Sequence, residues 1–374
     1  MNKNINILLT GGTGILGSHI LFELIPQYVT GLLCGKIVLI VRSSRKLSAE
    51  QRVSQMLMST GIPEKIKKIP VGEILRHIEL IDSDLQHFSR EKLPDQQGGY
   101  TVIHAASSVN LSQMDETKDA LLQNNYLGTV HFINEILPVT QKFVFISTAY
   151  SSGHRIGAID NDFFQHNGFN FRNPYEYFKH QTEIYIRDTF SAKGVDWQIL
   201  RPSIICGRLM EPPLYAIPRF LVFYLFARYI LNFKSRINNQ FIRFHVPEQA
   251  AINIVPVDYV AKVVVSVIEK PTNQLNIVHA RNVSCRALFK QGFELINFNN
   301  YSFCNHWPES LNPVERLLHS TIGRQLGPYI DSPAHYFDTT ALQTLCPELV
   351  IPEIDTCFAE LLTFAANQKF TDLY

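Results

Sequence analysis

Little in this 374-residue chain marks it as secreted, metal-bound or nucleic-acid-binding. Its six cysteines (Cys34, Cys206, Cys285, Cys304, Cys346 and Cys357) are scattered, with no C-x-x-C pair and no paired spacing. That pattern argues against a zinc site and predicts free thiols in a reducing compartment. The formal net charge is only +1, so there is no electrostatic case for nucleic acid as a partner. Charged residues make up 18% against 46% hydrophobic, which excludes a disordered chain. No internal repeat or low-complexity tract is present, and no G-x-S-x-G elbow supports a hydrolase triad built on Ser147, Thr148 and a histidine. Met-Asn-Lys leads straight into an apolar run, leaving no room for a cleavable signal, and the expectation is a cytoplasmic protein. At this length the chain can bury a core as one large domain or as two lobes.

What is present begins at the first apolar run, residues 5–9, which reads as a short buried strand. It is followed by Thr10-Gly11-Gly12-Thr13-Gly14-Ile15-Leu16-Gly17 and then by apolar residues spaced for one helix face. Gly12-x-Gly14-x-x-Gly17 thus sits between a first strand and a first helix, where a dinucleotide fingerprint belongs. One glycine makes the tight turn, one admits a pyrophosphate to the backbone, and one lets helix and strand pack closely. The helix N-terminus then offers free N–H groups to phosphate.

Further strands are expected at residues 36–41, 77–81, 101–104 and 142–146, with helices over 48–58 and 119–137 between them. This alternation predicts a parallel sheet with right-handed crossovers. After the second strand no Asp or Glu appears until Glu50, whereas Arg42, Arg45 and Arg52 are close. An acidic residue there would bind a ribose 2′-hydroxyl; arginines fit a 2′-phosphate and favour NADP. Small residues Ala105, Ala106 and Ser107 close the fourth strand and let a cofactor lie close to backbone.

Pro174 suits a helix start, which puts Tyr175 and Lys179 on one face, four residues apart. A phenol of pKa about 10 is a poor acid or base at neutral pH, and a neighbouring ammonium shifts it towards its working range. No other tyrosine of the chain has a lysine four residues on.

Taken in order, these residues resemble an extended short-chain dehydrogenase/reductase. Within that superfamily they are most similar to the thioester-reductase and fatty acyl-CoA reductase (male-sterility-like) branch. The matching segments are Thr10-Gly11-x-x-Gly14-x-x-Gly17, Leu39-Ile40-Val41-Arg42, Asp84-Leu85, His104-Ala105-Ala106 and Asn125-x-x-Gly128-Thr129. They continue through Ile146-Ser147-Thr148, Tyr175-x-x-x-Lys179 with Glu183, the run from Leu200-Arg201-Pro202-Ser203-Ile204-Ile205 to Gly207, and Val255-Pro256-Val257-Asp258-Tyr259. The resemblance implies that Thr148 bonds the substrate carbonyl, Tyr175 delivers its proton, and Lys179 holds the nicotinamide ribose. It implies that Asn125, with Asn124 beside it, orders a proton-relay water. Pro202, Ser203 and Ile204 would lie against the nicotinamide, Arg42 and Arg45 near the adenosine phosphate. Asp84, Leu85, His104, Ala105 and Ala106 would complete the cofactor pocket. Asp82-Ser83-Asp84 departs from the family's usual Gly-Asp, and nothing after residue 285 matches a family pattern.

The expected architecture is therefore α/β: a Rossmann-type doubly wound parallel sheet with a smaller, mainly helical C-terminal substrate lobe. Residues 1–207 and 252–283 would bind NADP, and 208–251 with 284–374 would form the substrate lobe, with helices near 313–320 and 354–366 and a late strand at 274–279. The apolar stretch 214–231, LYAIPRFLVFYLFARYIL, approaches the length of a membrane span but is interrupted by Pro218, Arg219 and Arg228. It reads as a buried or half-buried helix, with an acyl-groove wall making peripheral membrane contact as the sharper reading. The implied reaction is NADPH-dependent reduction of an acyl thioester, carried on CoA or a carrier protein, to aldehyde or alcohol. Two alternatives stay open: an extended-family epimerase, dehydratase or hydroxysteroid-type dehydrogenase, and a catalytically silent NADP-binding regulatory module. No metal is expected, and the oligomeric state is open.

Overall fold

Short runs rich in Val, Ile and Leu, bounded by turn residues, form a seven-stranded parallel sheet. The strands are β1 (Ile7–Thr10), β2 (Ile37–Val41), β3 (Ile78–Asp82), β4 (Tyr100–His104), β5 (Thr140–Ile146), β6 (Asp196–Pro202) and β7 (Gln274–Ile277). The structure, a computed structural model, describes residues 3–95, 98–155, 157–162, 164, 170–237, 240–331 and 334–374. Across the sheet the order is β7-β6-β5-β4-β1-β2-β3, with every pair parallel. The order reverses between β1 and β4, where Thr10 stands opposite His104. In sheets of this kind ligands bind in the crevice beyond the carboxyl ends at that reversal.

Central strands buried on both faces need helices above and below. On one side α1 (Ile15–Val29), α2 (Ala49–Leu57) and α7 (Val257–Val267) bury Ile20, Leu24, Val53, Val260 and Val264 against Leu9, Leu39 and Ile103. On the other, α4 (Gly128–Ile136) and α5 (Pro174–Lys193) bury Phe132, Ile136, Ile186 and Phe190 against Val102, Phe143 and Phe145. The chain is thus doubly wound, as its strand and helix alternation predicts.

Two expectations need correction. The helix placed at 119–137 starts earlier, as α3 (Asp115–Leu121), and continues through a π-helical turn at Leu122–Leu127 before α4. The apolar stretch 214–231 is not helical throughout. Pro218 lies within it, and Tyr215 and Val222 take φ of 65° and 53°, so α6 (Phe223–Ile237) begins only after them. The C-terminal part is mainly helical, as expected, with a short strand pair added. Beside α8 (Cys285–Leu295), α9 (Arg324–Ile330) and α10 (Phe358–Asn367), Ile242–His245 pairs in parallel with Tyr301–Cys304. Two aromatic-rich clusters hold these elements together, one around Phe220, Tyr224, Phe358 and Phe370 and one around Phe244, Phe293 and Phe298. No described helix is long and apolar enough to cross a membrane.

Candidate active site

The turn after β1 is shaped by what cannot carry a side chain. A Cβ on Gly11, at φ 72°, would lie 2.6 Å from the Ala106 amide nitrogen, and one on Gly17 would lie 2.1 Å from the Gly11 carbonyl oxygen. Gly11 therefore lets the first turn approach the end of β4, and Gly17 lets α1 approach the turn. The Gly14 amide donates to the Gly11 carbonyl at 2.8 Å, and no side chain caps α1, so its first-turn N–H groups face the crevice without a side-chain acceptor. Thr10 Oγ1 lies 2.8 Å from His104 Nδ1 and accepts from the Ala106 amide at 3.2 Å. On its other edge, His104 Nε2 lies 3.0 Å from Thr129 Oγ1. Complete burial pulls this imidazole down to about 3, helped by the Lys179 charge, so it is neutral and ties β4 to β1 and α4.

A cavity of about 900 Å³ opens from this crevice. Of the residues singled out in the sequence, Thr10, Gly11, Thr13, Gly14, Ile15, Leu16, Arg42, Asp84, Leu85, Ala105, Ala106, Asn125, Thr148, Tyr175, Lys179, Pro202, Ser203 and Ile204 line it. Gly12, Gly17 and His104 stand behind its wall, and Arg45 is exposed away from it.

One wall carries the groups with chemical potential. β5 delivers Thr148, whose Oγ1 accepts from the Tyr150 amide at 3.3 Å and keeps its proton free to donate. Asn173 caps α5, its Oδ1 accepting from the Glu176 amide at 3.0 Å, and Pro174 occupies the first turn. This start orients Tyr175 and, one turn on, Lys179. The Lys179 ammonium donates to the Ile146 carbonyl at 2.8 Å and rests 4.6 Å above the Phe145 ring. Burial brings its pKa down to about 7, against the opposing charge of Glu183. Burial pushes the Tyr175 phenol up, the Glu176 charge adds to that, and a hydrogen bond with Ser107 draws it back. In the π-helical turn, Asn125 Oδ1 accepts from the Ser108 amide at 2.9 Å and its Nδ2 donates to the Ser108 carbonyl at 2.8 Å. Asn124 instead donates back to the Ala120 carbonyl at 2.7 Å. Wide turns of this type are frequent where a side chain must be re-aimed.

Behind this wall sits a fully buried ion pair, Arg201 Nη2 to Glu183 Oε2 at 2.8 Å. Glu183 Oε1 also accepts from Ser147 Oγ and, at 2.7 Å, from Ser151 Oγ. The pair thus fixes the end of β5 against α5 and β6. A second buried cluster had no signal in the sequence. Arg172 pairs with Glu176 at 3.3 Å and lies over the rings of Tyr150 and Tyr329 at 5.7 and 5.4 Å, and both rings reach the cavity. Arg172 and Glu176 are four residues apart, but Tyr150 and Tyr329 join them from distant segments, so the cluster as a whole leaves no recurring spacing. Ser107, the partner of Tyr175, was read only as a small residue closing β4.

At the opposite, polar end Arg52 Nη1 donates to the Arg42 carbonyl at 2.6 Å and Nη2 to Thr13 Oγ1 at 2.8 Å. Asp84 accepts from the His87 amide at 2.9 Å, which orients its carboxylate at the rim. The far end is apolar: α6, α8 and α10 contribute Phe226, Ile230, Phe289, Phe293, Leu362 and Ala366.

The sequence profile of a family described as male sterility protein matches residues 9–264. Among solved structures, the chain is similar to the terminal R domain from the myxalamid PKS-NRPS biosynthetic pathway, with TM-score 0.68 and 16% identity over 100% of this chain and 93% of that one. It is similar to a thiolation-reductase di-domain from an archaeal non-ribosomal peptide synthetase, with TM-score 0.65 and 18% identity over 98% and 91%. It is also similar to UDP-glucuronic acid 4-epimerase from Bacillus cereus in complex with UDP-glucuronic acid and NAD, with TM-score 0.64 and 15% identity over 97% and 99%. At these identities the likeness is one of fold. No curated protein sequence matches the chain significantly.

Proposed function

The chain belongs to the male sterility protein family of extended short-chain dehydrogenase/reductases, and from that premise we propose that it reduces acyl thioesters with NADPH. The observation that carries this reading is one cavity with three zones: a glycine cradle with arginines, a Thr148–Tyr175–Lys179 wall, and an apolar end. The nicotinamide cofactor fits the residues present. A side chain on Gly11 would strike the Ala105–Ala106 backbone and one on Gly17 the Gly11 carbonyl, so the tight cradle depends on both glycines, and the uncapped N-terminus of α1 faces it. Arg42 and Arg52 in place of an acidic residue support NADP over NAD. Residues 1–207 and 252–283 are assigned to the cofactor, and 208–251 with 284–374 to the substrate. The apolar end favours an acyl chain over a sugar nucleotide, and the R-domain neighbours support a thioester carried on a protein arm, with CoA as the soluble equivalent.

When bound, the cofactor supplies hydride to the thioester carbonyl carbon. Thr148 Oγ1 and the Tyr175 hydroxyl are assigned to donate to the carbonyl oxygen as charge develops on it. Tyr175 gives up its proton there, producing a hemithioacetal, and cleavage of the C–S bond releases thiol and aldehyde. Lys179 holds the ribose and, when charged, favours the ionised Tyr175 left behind. Asn125 orders the route by which Tyr175 regains its proton. A second reduction at the same wall would give the alcohol.

The test is purified protein with NADPH or NADH and acyl-CoAs of graded length, following loss of reduced-cofactor absorbance and analysing products. Aldehyde or alcohol formed with NADPH, and much more slowly with NADH, supports the reading. Tight NADPH binding with no thioester reduction at any length would contradict it.

A further inference from the structure

Arg219 belongs to the segment before α6, far in the chain from the glycine turn, yet it lines the same cavity as Thr13, Gly14, Arg42 and Arg52. Its counter-ion is Asp372, 3.7 Å from Nε and itself 59% exposed, which is a loose, solvated pairing. Nε is buried and makes no hydrogen bond. The Arg219 charge also reaches Arg52. Burial lowers the Arg52 pKa first, and the charges of Arg219 and then Arg42 lower it further, with only Asp82 opposing. Arg42, Arg52 and Arg219 thus line one cavity, with the charges of Arg42 and Arg219 both felt at Arg52. One of them, Arg52, already has a fixed position relative to the turn, because it bonds Thr13 and the Arg42 backbone carbonyl.

Like charges held together in a concave site favour an anion between them, and a planar guanidinium suits phosphate. Arg219 is also well anchored. The preceding Pro218 carbonyl accepts from the Leu373 amide at 2.9 Å, and Phe220 is buried in the aromatic cluster that continues into α6.

We infer that Arg219 is a third phosphate ligand, reaching from the apolar-wall segment to a phosphoryl group at the adenosine end of the dinucleotide. The inference rests on the cofactor reading above and adds to it a residue outside every matched motif. It also has a structural consequence. Leu221, Val222 and Phe223 lie two to four residues after Arg219 and line the apolar end, so a phosphate held by Arg219 braces the start of the acyl wall.

Arg219→Met, Arg219→Gln and Arg219→Lys are compared with the unaltered protein by fluorescence titration with NADPH and NADH. Met and Gln should weaken NADPH binding about tenfold, with Lys recovering much of it and melting temperatures nearly unchanged. A loss confined to NADPH supports contact with the 2′-phosphate, and an equal loss with NADH supports contact with the pyrophosphate. Unchanged affinity for both dinucleotides in folded Met and Gln variants overturns the inference while leaving the reductase reading intact. If the unaltered protein binds neither dinucleotide, both readings fail together.

Discussion

The two ends of the cavity obey different rules. At the sheet end, atoms must meet at fixed distances: Gly11 against Ala106, Lys179 on the Ile146 carbonyl, Asn125 on the Ser108 backbone. At the far end, α6, α8 and α10 need only present apolar surface of adequate volume, and many side chains do that equally well. The first end therefore restricts residue identity and spacing, while the second restricts only polarity and bulk. Its aromatic rings pack against one another, as Phe226 does on Phe289 at 4.6 Å.

The sharpest way to break this comparison is Tyr175→Phe. If the sheet end holds the chemistry, turnover falls about 10²–10⁴-fold, the range of a lost general acid. NADPH affinity stays within about twofold, as a binding titration would show. Next is Glu183→Ala, which removes the carboxylate that faces the buried Arg201 charge and releases Ser147 and Ser151. Denaturant unfolding should report a loss of about 3–5 kcal/mol.

A change at the apolar end should act on selectivity instead. A Cβ at Gly292 would meet only Leu362 Cδ1, at an ordinary 3.5 Å, so a larger side chain can enter the cavity there. Gly292→Leu should lower kcat/KM for the longest accepted acyl chain about tenfold, the scale of a few misplaced methylenes. The shortest substrates should be nearly unaffected. Loss of activity towards all lengths would show that the two ends are not separable.

The smallest effect concerns stability and pH. Lys179 titrates near 7 in the folded protein against about 10.5 in the unfolded chain. Between those values the unfolded chain binds the extra proton, so this residue costs stability below pH 7, and the cost fades as pH rises towards 10.5. Lys179→Met should raise Tm by about 2–4 °C at pH 6.5, with the gain shrinking by pH 9.5. An ordinary surface lysine would show no such pH-dependent gain.

The same contrast governs what could be read before the structure. The strands from Ile7 to Ile146, the glycine turn and the Tyr175–Lys179 pair were legible because each depends on local spacing. The late strand Gln274–Ile277 was legible as well, within a residue or two of its ends. The π-helical turn at Leu122–Leu127 was not, because a single added residue in a helix leaves little trace in apolar periodicity. Residues 214–222 read as helix from hydrophobicity, yet Pro218 and the positive φ at Tyr215 and Val222 turn the backbone elsewhere. The pairing of Ile242–His245 with Tyr301–Cys304 joins strands nearly sixty residues apart, which no local pattern announces. Tyr329 joins the neighbouring Arg172 and Glu176 from a distant segment, so that part of the buried cluster was invisible for the same reason.

The most direct test of the central claim is a single-turnover reaction of excess protein and NADPH with one acyl thioester, quenched and analysed for aldehyde, alcohol and free thiol. The account predicts thiol release in step with NADPH consumption for the unaltered protein and neither for Tyr175→Phe with NADPH still bound. Thiol release at an unchanged rate in that variant would contradict it.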